Sequence, residues 1–447
     1  MAPRVVTPST SEHTIHQGTP PTVALESSAA SQAEAGDEST SASEGPASHE
    51  ARLSPPLPGL TVIVPVRNDP ENLEVCLEAL WASDHPAFEI VVVDDASTDT
   101  TGEVARRSGA QVLRLESRSG PAAARNLGSE VARYSHLFFV DADVRVAPDT
   151  LRRVWARFEA DPKVDALFGS YDDKPGAPNL LSQYRNLLHH HVHQAGRRTA
   201  SSFWSGCGAI EHSVFRALGG FDAGYDNASV EDIELGSRLR QNGYRVELVK
   251  DLQVQHLKRW TFAQMIQTDV QSRGVPWTLL LLRQGKIPND LNLRYGQRLS
   301  ALFACGLALA LAVGTWLHPW LAALPGITLA AIVGVDRWTQ RRPIPRWLQW
   351  LIVGGLGAAS GVSPARGGLA DLAEPWFLAA LVCLLGIVVL NGRFYGFLFR
   401  VQDPLFALLA VPLHVLYYLY STFAFAYGLV VFLGRRPADV DPAERDS

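Results

Sequence analysis

The stretch LSALFACGLALALAVGTWL, residues 299–317, is the feature that most restricts how this chain can fold. It holds no charged residue, and its length matches the roughly 20 residues that cross a hydrocarbon core as a helix. Similar apolar runs occupy about 320–335, 376–391 and 405–433, with a weaker, glycine-rich one at 347–362. Buried helices of a soluble protein rarely come as several runs of spanning length, so a membrane region over 296–434 is expected. The basic cluster DRWTQRRPIPR (336–346) follows the second run, where the positive-inside rule puts a cytoplasmic loop. Arg435 and Arg436, in a tail over 435–447, favour a cytoplasmic C-terminus and four spans; counting 347–362 gives five.

A mean hydropathy of +0.03 hides how different the rest of the chain is. Residues 1–58 are rich in Ser, Ala, Glu, Thr and Pro, a composition that cannot build a core and reads as a disordered tail. The start, MAPRVVTPSTSEHT, has no apolar run of the secretory kind, so the following domain is expected on the cytoplasmic side of the inner membrane. With 40 basic and 45 acidic residues the chain has no nucleic-acid signature. Cys76, Cys207, Cys305 and Cys383 lack metal-ligand or disulfide spacing.

Residues 59–295 have the composition of a soluble α/β domain. LTVIVPV (60–66), FEIVVVDDAS (88–97), AQVLRLE (110–116) and HLFFVDAD (136–143) read as short buried strands. Helical patterns separate them, with Leu73, Cys76, Leu77, Leu80 and Trp81 on one stripe and a proline opening the segment 120–134. This alternation implies a Rossmann-like, mostly parallel sheet with right-handed crossovers. Ligands of such sheets bind beyond the carboxyl ends of the strands. Three strands end there in polar groups: Arg67-Asn68-Asp69, Asp94-Asp95, and Asp141 with Asp143. Carboxylates that close need neutralising, and hard oxygen donors at a strand end suit Mg²⁺ or Mn²⁺ shared with substrate phosphates. No glycine-rich phosphate loop follows the first strand, which argues against P-loop and dinucleotide enzymes, and against a nucleotidyltransferase.

TVIVPVRND, VVVDDASTDTT, GPAAARNLG, FFVDADVRV, GGFDAGYDNASVEDIELGSRLRQNGYRV and HLKRWT resemble the ordered motifs of family 2 glycosyltransferases with the GT-A fold, over about 60–285. The resemblance implies a hexosyltransferase-like enzyme that moves a sugar from a nucleotide-diphosphate donor to an acceptor with inversion. It implies that Pro65, Val66, Arg67 and Asp95 contact the nucleoside, that Asp94 is structural, and that Arg125 contacts the nucleotide. Asp141 and Asp143 would form the DxD pair, with Asp143 the direct metal ligand and Asp141 nearer ribose or a metal-bound water. Asp232 would be the catalytic base, supported by Glu231. Arg259 and Trp260 would serve the diphosphate and the acceptor, and His256 is a further candidate metal ligand. His256 stands where processive synthases carry the glutamine of Q-x-x-R-W, which disfavours chain polymerisation.

His189 and His193 lie one helical turn apart but lack the carboxylate of a zinc-hydrolase motif, so their segment is expected to line the acceptor cleft. FWSGCGAI (203–210) is expected to wall the same pocket, with Cys207 small and buried. Residues 259–282 read as an amphipathic element at the membrane interface. Together these features predict a membrane-anchored transferase acting on a lipid or lipid-linked acceptor. A processive synthase and a non-catalytic nucleotide-sugar-binding scaffold are the competing readings. Nothing in the sequence speaks to donor identity or oligomeric state.

Overall fold

The first strand, β1 (Leu57–Val66), shows how the sequence builds the domain. Its residues alternate between faces: Val62, Val64 and Val66 enter one apolar cluster and Ile63 enters another, all at most 4% exposed. A strand buried on both sides must be central in its sheet. It pairs in parallel with β2 (Phe88–Asp94) and β4 (Tyr134–Val140), and β2 pairs in parallel with β3 (Gln111–Arg114). The computed structural model describes residues 56–225, 229–285, 287–339 and 374–434.

The other half of the sheet is mixed. β7 (Cys207–Glu211) runs antiparallel to β4, β6 (Ala166–Tyr171) antiparallel to β7, and β8 (Val246–His256) parallel to β6. The two-residue β5 (Val144–Arg145) closes the order β3-β2-β1-β4-β7-β6-β8-β5. The expectation of a mostly parallel sheet is met by four of the seven pairings, three in the block β3-β2-β1-β4 and one between β6 and β8, while β4-β7, β7-β6 and β8-β5 are antiparallel. β7 departs because it pairs beside β4 with reversed direction, running Val140 against Cys207.

Helices cover both faces. α1 (Pro70–Trp81), α2 (Thr101–Arg107) and α4 (Thr150–Ala160) bury Leu73, Leu77, Leu80, Val104, Leu151, Val154 and Phe158 on one side. α3 (Gly120–Glu130), α6 (His212–Ala217) and α7 (Glu231–Gln241) bury Ala122, Val214, Phe215, Leu235 and Leu239 on the other. α5 (Leu180–Ala195) faces a third apolar cluster, which it shares with the C-terminal helices.

That shared cluster joins the two halves of the molecule. α10 (Tyr295–Leu317) and α14 (Pro404–Gly434) are long and apolar enough to cross a membrane. α12 (Pro375–Leu390) and α13 (Gly392–Val401) would make a third span if counted as one, but they meet at an angle of 66°. α11 (Ala323–Thr339), on the second apolar run, has 17 residues up to the edge of the described segment. The described residues thus supply two or three spans where the sequence suggested four or five. The run at 347–362, the arginines of 340–346, Arg435, Arg436 and nearly all of the tail at 1–58 lie outside the described residues.

Polar ties fix the helices to the soluble domain. Asp336 in the last turns of α11 accepts hydrogen bonds from Asn179 Nδ2 (2.8 Å) and Leu181 N (3.0 Å), satisfying the start of α5. After α8 (Phe262–Gln267), a π-helical turn (Thr268–Gly274) carries Asp269, which accepts from Arg185 Nη1 (2.7 Å) on α5 and from Tyr420 Oη (2.6 Å) on α14. α9 (Val275–Gln284) continues this helical stretch, matching the expected amphipathic element at 259–282 in position.

Gly236 in α7 allows that helix to press against the loop before β7. A Cβ there would sit 2.2 Å from the Phe203 backbone nitrogen. Gly236→Ala should therefore cost about 1–3 kcal/mol, read as a lower denaturation midpoint. It should also loosen the same loop's contact with Asp232, read as faster hydrogen exchange at Ser205 N.

Candidate functional site

The ends of β1, β2 and β4 meet at one edge, as the parallel half of the sheet requires. Backbone strain gathers there: Asn68 (φ 50°), just past β1, and Ala96 (φ 52°), just past β2, adopt left-handed conformations. Asn68 holds the two ends together, donating its N–H to Ser97 Oγ (3.0 Å) and accepting from Thr98 N (2.8 Å).

The aspartates after β2 divide their work. Asp94 accepts from Ser97 N and from Arg114, which makes it structural. Asp95 Oδ1 and Oδ2 accept from Ser119 N (2.6 Å) and Gly120 N (3.0 Å) at the start of α3. Gly120 has φ +84°, a conformation natural to glycine, and this turns its N–H toward the carboxylate. Pro65 and Val66, expected to touch the nucleoside, have buried side chains, because a central strand turns both faces into core; only their backbone is available. Arg67, the next residue, is exposed.

β4 delivers Asp141 and Asp143 to the same edge. Antiparallel pairing of Val144 with His256 brings β8 alongside, so His256 Nε2 and Lys258 Nζ each lie 3.7 Å from Asp143 Oδ2. Burial alone would favour the neutral acid, but His256 and then Lys258 outweigh it and hold Asp143 below the usual carboxylate range. His256 also stacks on Tyr171 (4.3 Å between centroids, 16° between planes).

The second acidic pair opens α7. Glu231 is buried, accepting from Ser229 N (2.8 Å) and Arg125 Nη1 (2.9 Å). Asp232 Oδ2 accepts from Ser205 N (3.2 Å) and Ser205 Oγ (3.4 Å). Burial and then the Glu231 carboxylate push the Asp232 proton affinity up to about 7, against Arg125, Ser205 N and Arg273. Two carboxylic acids at one site are thus set far apart, one ionised and one poised near neutrality.

Arg125 sits elsewhere than expected. It is 3% exposed, with Nη2 on Asp141 Oδ1 (2.7 Å) and Nη1 on Glu231 Oε1 (2.9 Å), and its guanidinium lies over the Phe221 ring. Its donors face protein carboxylates, not an open nucleotide pocket. Trp260 is likewise buried, 5% exposed, between the guanidinium of Arg185 (4.1 Å) and Lys258 Nζ (4.7 Å). It packs into the cluster shared with α14, which removes it from the stacking role expected on a sugar or acceptor. Arg259 is exposed and has no partner among the described residues. The site cation that motif reading missed is Lys258, inside the quoted HLKRWT: its Nζ lies beside Asp143, while Arg259, one position on, is exposed and pairs with none of the described acids. Ser205 carries no local signal, since only the fold brings it to Asp232.

α5 braces the opposite wall. His190 and His193 donate from Nδ1 to the backbone oxygens of Tyr171 (2.7 Å) and Gly169 (3.1 Å), and the His189 ring packs on Tyr171 and Trp204. Cys207 is fully buried, with its thiol pushed up to about 12 by burial, so it is inert.

Among the described residues no group of three His, Cys, Asp or Glu side chains is arranged to hold a metal ion. The donor set still fits a hard divalent cation. Asp143 is ionised and 15% exposed, Asp141 is 33% exposed, and an imidazole stands beside them. Mg²⁺ and Mn²⁺ sites of this kind use one or two carboxylates and leave the remaining positions to phosphate and water.

Residues 61–219 match the family model described as Glycosyl transferase family 2. This chain carries a family 2 glycosyltransferase domain. Glycosyltransferase GlyG of Streptococcus pneumoniae is 29% identical over 117 residues, 25% of this chain and 38% of that one. An uncharacterised protein of Mycobacterium tuberculosis is 37% identical over 127 residues, 28% of this chain and 40% of that one. The chain thus spans well under half the length of these curated relatives. Among solved structures, the mannosyltransferase PcManGT from Pyrobaculum calidifontis, in complex with GDP-Man and Mn²⁺, superposes with a TM-score of 0.42 at 21% identity, covering 74% of this chain and 89% of that one. The domain is a mixed α/β sheet, with Asp141 and Asp143 just past the end of β4.

A pH titration followed by infrared difference spectroscopy should show one carboxyl group of the transferase domain ionising near pH 7. That signal should vanish in Asp232→Asn, while Asp143 stays ionised far below it.

Proposed function

We propose that the protein transfers a sugar, with inversion, from a nucleotide-diphosphate donor to a membrane lipid or lipid-linked acceptor. The observation that carries this reading is the contrast between Asp143, held ionised by His256 and Lys258, and Asp232, poised near pH 7 at the same edge. The first suits a cation and diphosphate; the second suits proton abstraction at neutral pH.

In this reading Asp95 and Arg67 border the nucleoside, with the backbone of Pro65 and Val66 beside them. Asp143 would hold Mg²⁺ or Mn²⁺, flanked by Asp141 and His256, and the ion would neutralise charge building on the departing diphosphate. Lys258 and Arg259 add positive charge on the same side. Asp232, oriented by Ser205, takes the proton from the acceptor hydroxyl as that oxygen attacks the anomeric carbon. The bond from that carbon to the diphosphate breaks on the opposite face, so one displacement inverts the configuration. Glu231 raises the proton affinity of the base and anchors it through Arg125.

What supports a membrane acceptor is how the domain is mounted. Residues 59–295 form the catalytic unit and 296–434 a multi-pass anchor, with the catalytic unit on the cytoplasmic face of the inner membrane. α10 leaves the domain at Tyr295 and α11 returns to it at Asp336, which keeps the site beside the bilayer. A processive synthase is the second reading, because a poly-β-1,6-N-acetyl-D-glucosamine synthase of Staphylococcus aureus is 24% identical over 202 residues, 43% of this chain and 48% of that one. His256 in place of the synthase glutamine favours single transfer.

The decisive experiment incubates the full chain in nanodiscs with a panel of nucleotide sugars, membrane lipid extract and Mn²⁺ or Mg²⁺, with products identified by mass spectrometry. A glycolipid carrying one added sugar supports the proposal; a polymer supports the synthase reading, and no transfer defeats both. Asp143→Ala should reduce turnover by at least about 100-fold, and full activity in EDTA would count against the metal. Transfer to a hydroxyl should be fast above pH 7 and fall about tenfold per unit below it, since the base works only when deprotonated and its proton affinity is raised.

A further inference from the structure

We propose that Arg125 is a positioning residue: it sets the spacing between the donor side of the site, at Asp141, and the acceptor side, at Glu231 and Asp232, without itself touching the nucleotide. This rests on the reading of Asp232 as the base. One guanidinium spans both sides, with Nη2 to Asp141 Oδ1 at 2.7 Å and Nη1 to Glu231 Oε1 at 2.9 Å. These donors diverge from one planar group, so the two carboxylates are held at a separation that its rigid geometry dictates. Asp141 ends a strand at the middle of the sheet, whereas Glu231 opens a helix 90 positions later. Among the described residues no other side chain bonds to both.

The surroundings leave Arg125 no second task. It is 3% exposed, Phe221 covers its guanidinium face, and its buried Nε has no partner. α3 is fixed in turn by Asp95, which accepts from Ser119 and Gly120 at its first turn, and by Asn126, which exchanges hydrogen bonds with Phe221 (2.8 and 2.9 Å). Asp95, Arg125 and Asn126 therefore connect the end of β2, the end of β4 and the chain leading to α7 through one helix. Tilting that helix would move the base relative to the donor.

The test separates positioning from contact. Arg125→Met and Arg125→Lys are compared with wild type for donor binding, by calorimetry with nucleotide diphosphate and Mn²⁺, and for kcat. For Arg125→Met, kcat should drop by at least about 100-fold, the cost of a base misplaced by about 1 Å, while donor Kd stays within about threefold. Arg125→Lys, which keeps the charge but not the fork, should fall between the two. Because Arg125→Met leaves the buried Glu231 and the partly exposed Asp141 unneutralised, the double variant Arg125→Met/Glu231→Gln guards against misfolding. Its kcat should be no lower than that of Arg125→Met alone, since the residues act as a unit. A donor Kd raised tenfold or more in Arg125→Met, an unchanged kcat, or multiplicative losses in the double variant would overturn the proposal. Asp232→Asn serves as the control. If it transfers to hydroxyls at the wild-type rate, the base assignment fails, whereas a dead Asp232→Asn with a fully active Arg125→Met sinks the positioning role alone.

Discussion

The site exists because cations are built in among carboxylates that would otherwise drive each other apart. Asp141, Asp143, Glu231 and Asp232 converge on one sheet edge. Unit charges about 4 Å apart interact by about 4 kcal/mol at the effective dielectric of a protein surface, enough to reshape any of these acids. Arg125 answers two of them, His256 and Lys258 answer a third, and Asp232 has no ion pair within 4 Å among the described residues. That uneven distribution, not any one residue, separates an ionised acid from one that holds its proton near neutrality.

Much of this was legible in the chain. The β-branched runs at 60–66 and 88–97 announced central strands, because only residues buried on both faces dispense with alternation. The acids after them marked the functional edge, since turns at strand ends tolerate polar groups that a core does not. What could not be read was direction within the second half of the sheet. Whether β7 runs up or down depends on a partner some 70 positions away. Pro65 and Val66 were assigned to the pocket by motif position, but a central strand spends their side chains on the core. Arg125 and Trp260, both buried against protein groups, show the same limit: motif order says a residue is near the site, not which way its side chain turns. Arg259 and Lys258 differ by one position, and only the folded chain shows that Lys258 is the one beside Asp143.

The helical region was legible in existence and not in count. Composition alone identifies α10 and α14, where length and apolarity agree. It does not foresee that α11 ends in an aspartate buried against Asn179, or that α12 and α13 meet at a sharp angle at Asn391. These are tertiary facts, made by polar groups that each had to find a partner once removed from water.

The Asp269 contact reaches further than local stability. One carboxylate joins Arg185, on the α/β domain, to Tyr420, on the last apolar helix, so the two parts share a polar contact besides the connecting chain. Under the proposed reading, such a tie would hold the catalytic edge at a set distance from the bilayer, and the choice of acceptor would turn on how far a headgroup reaches toward it.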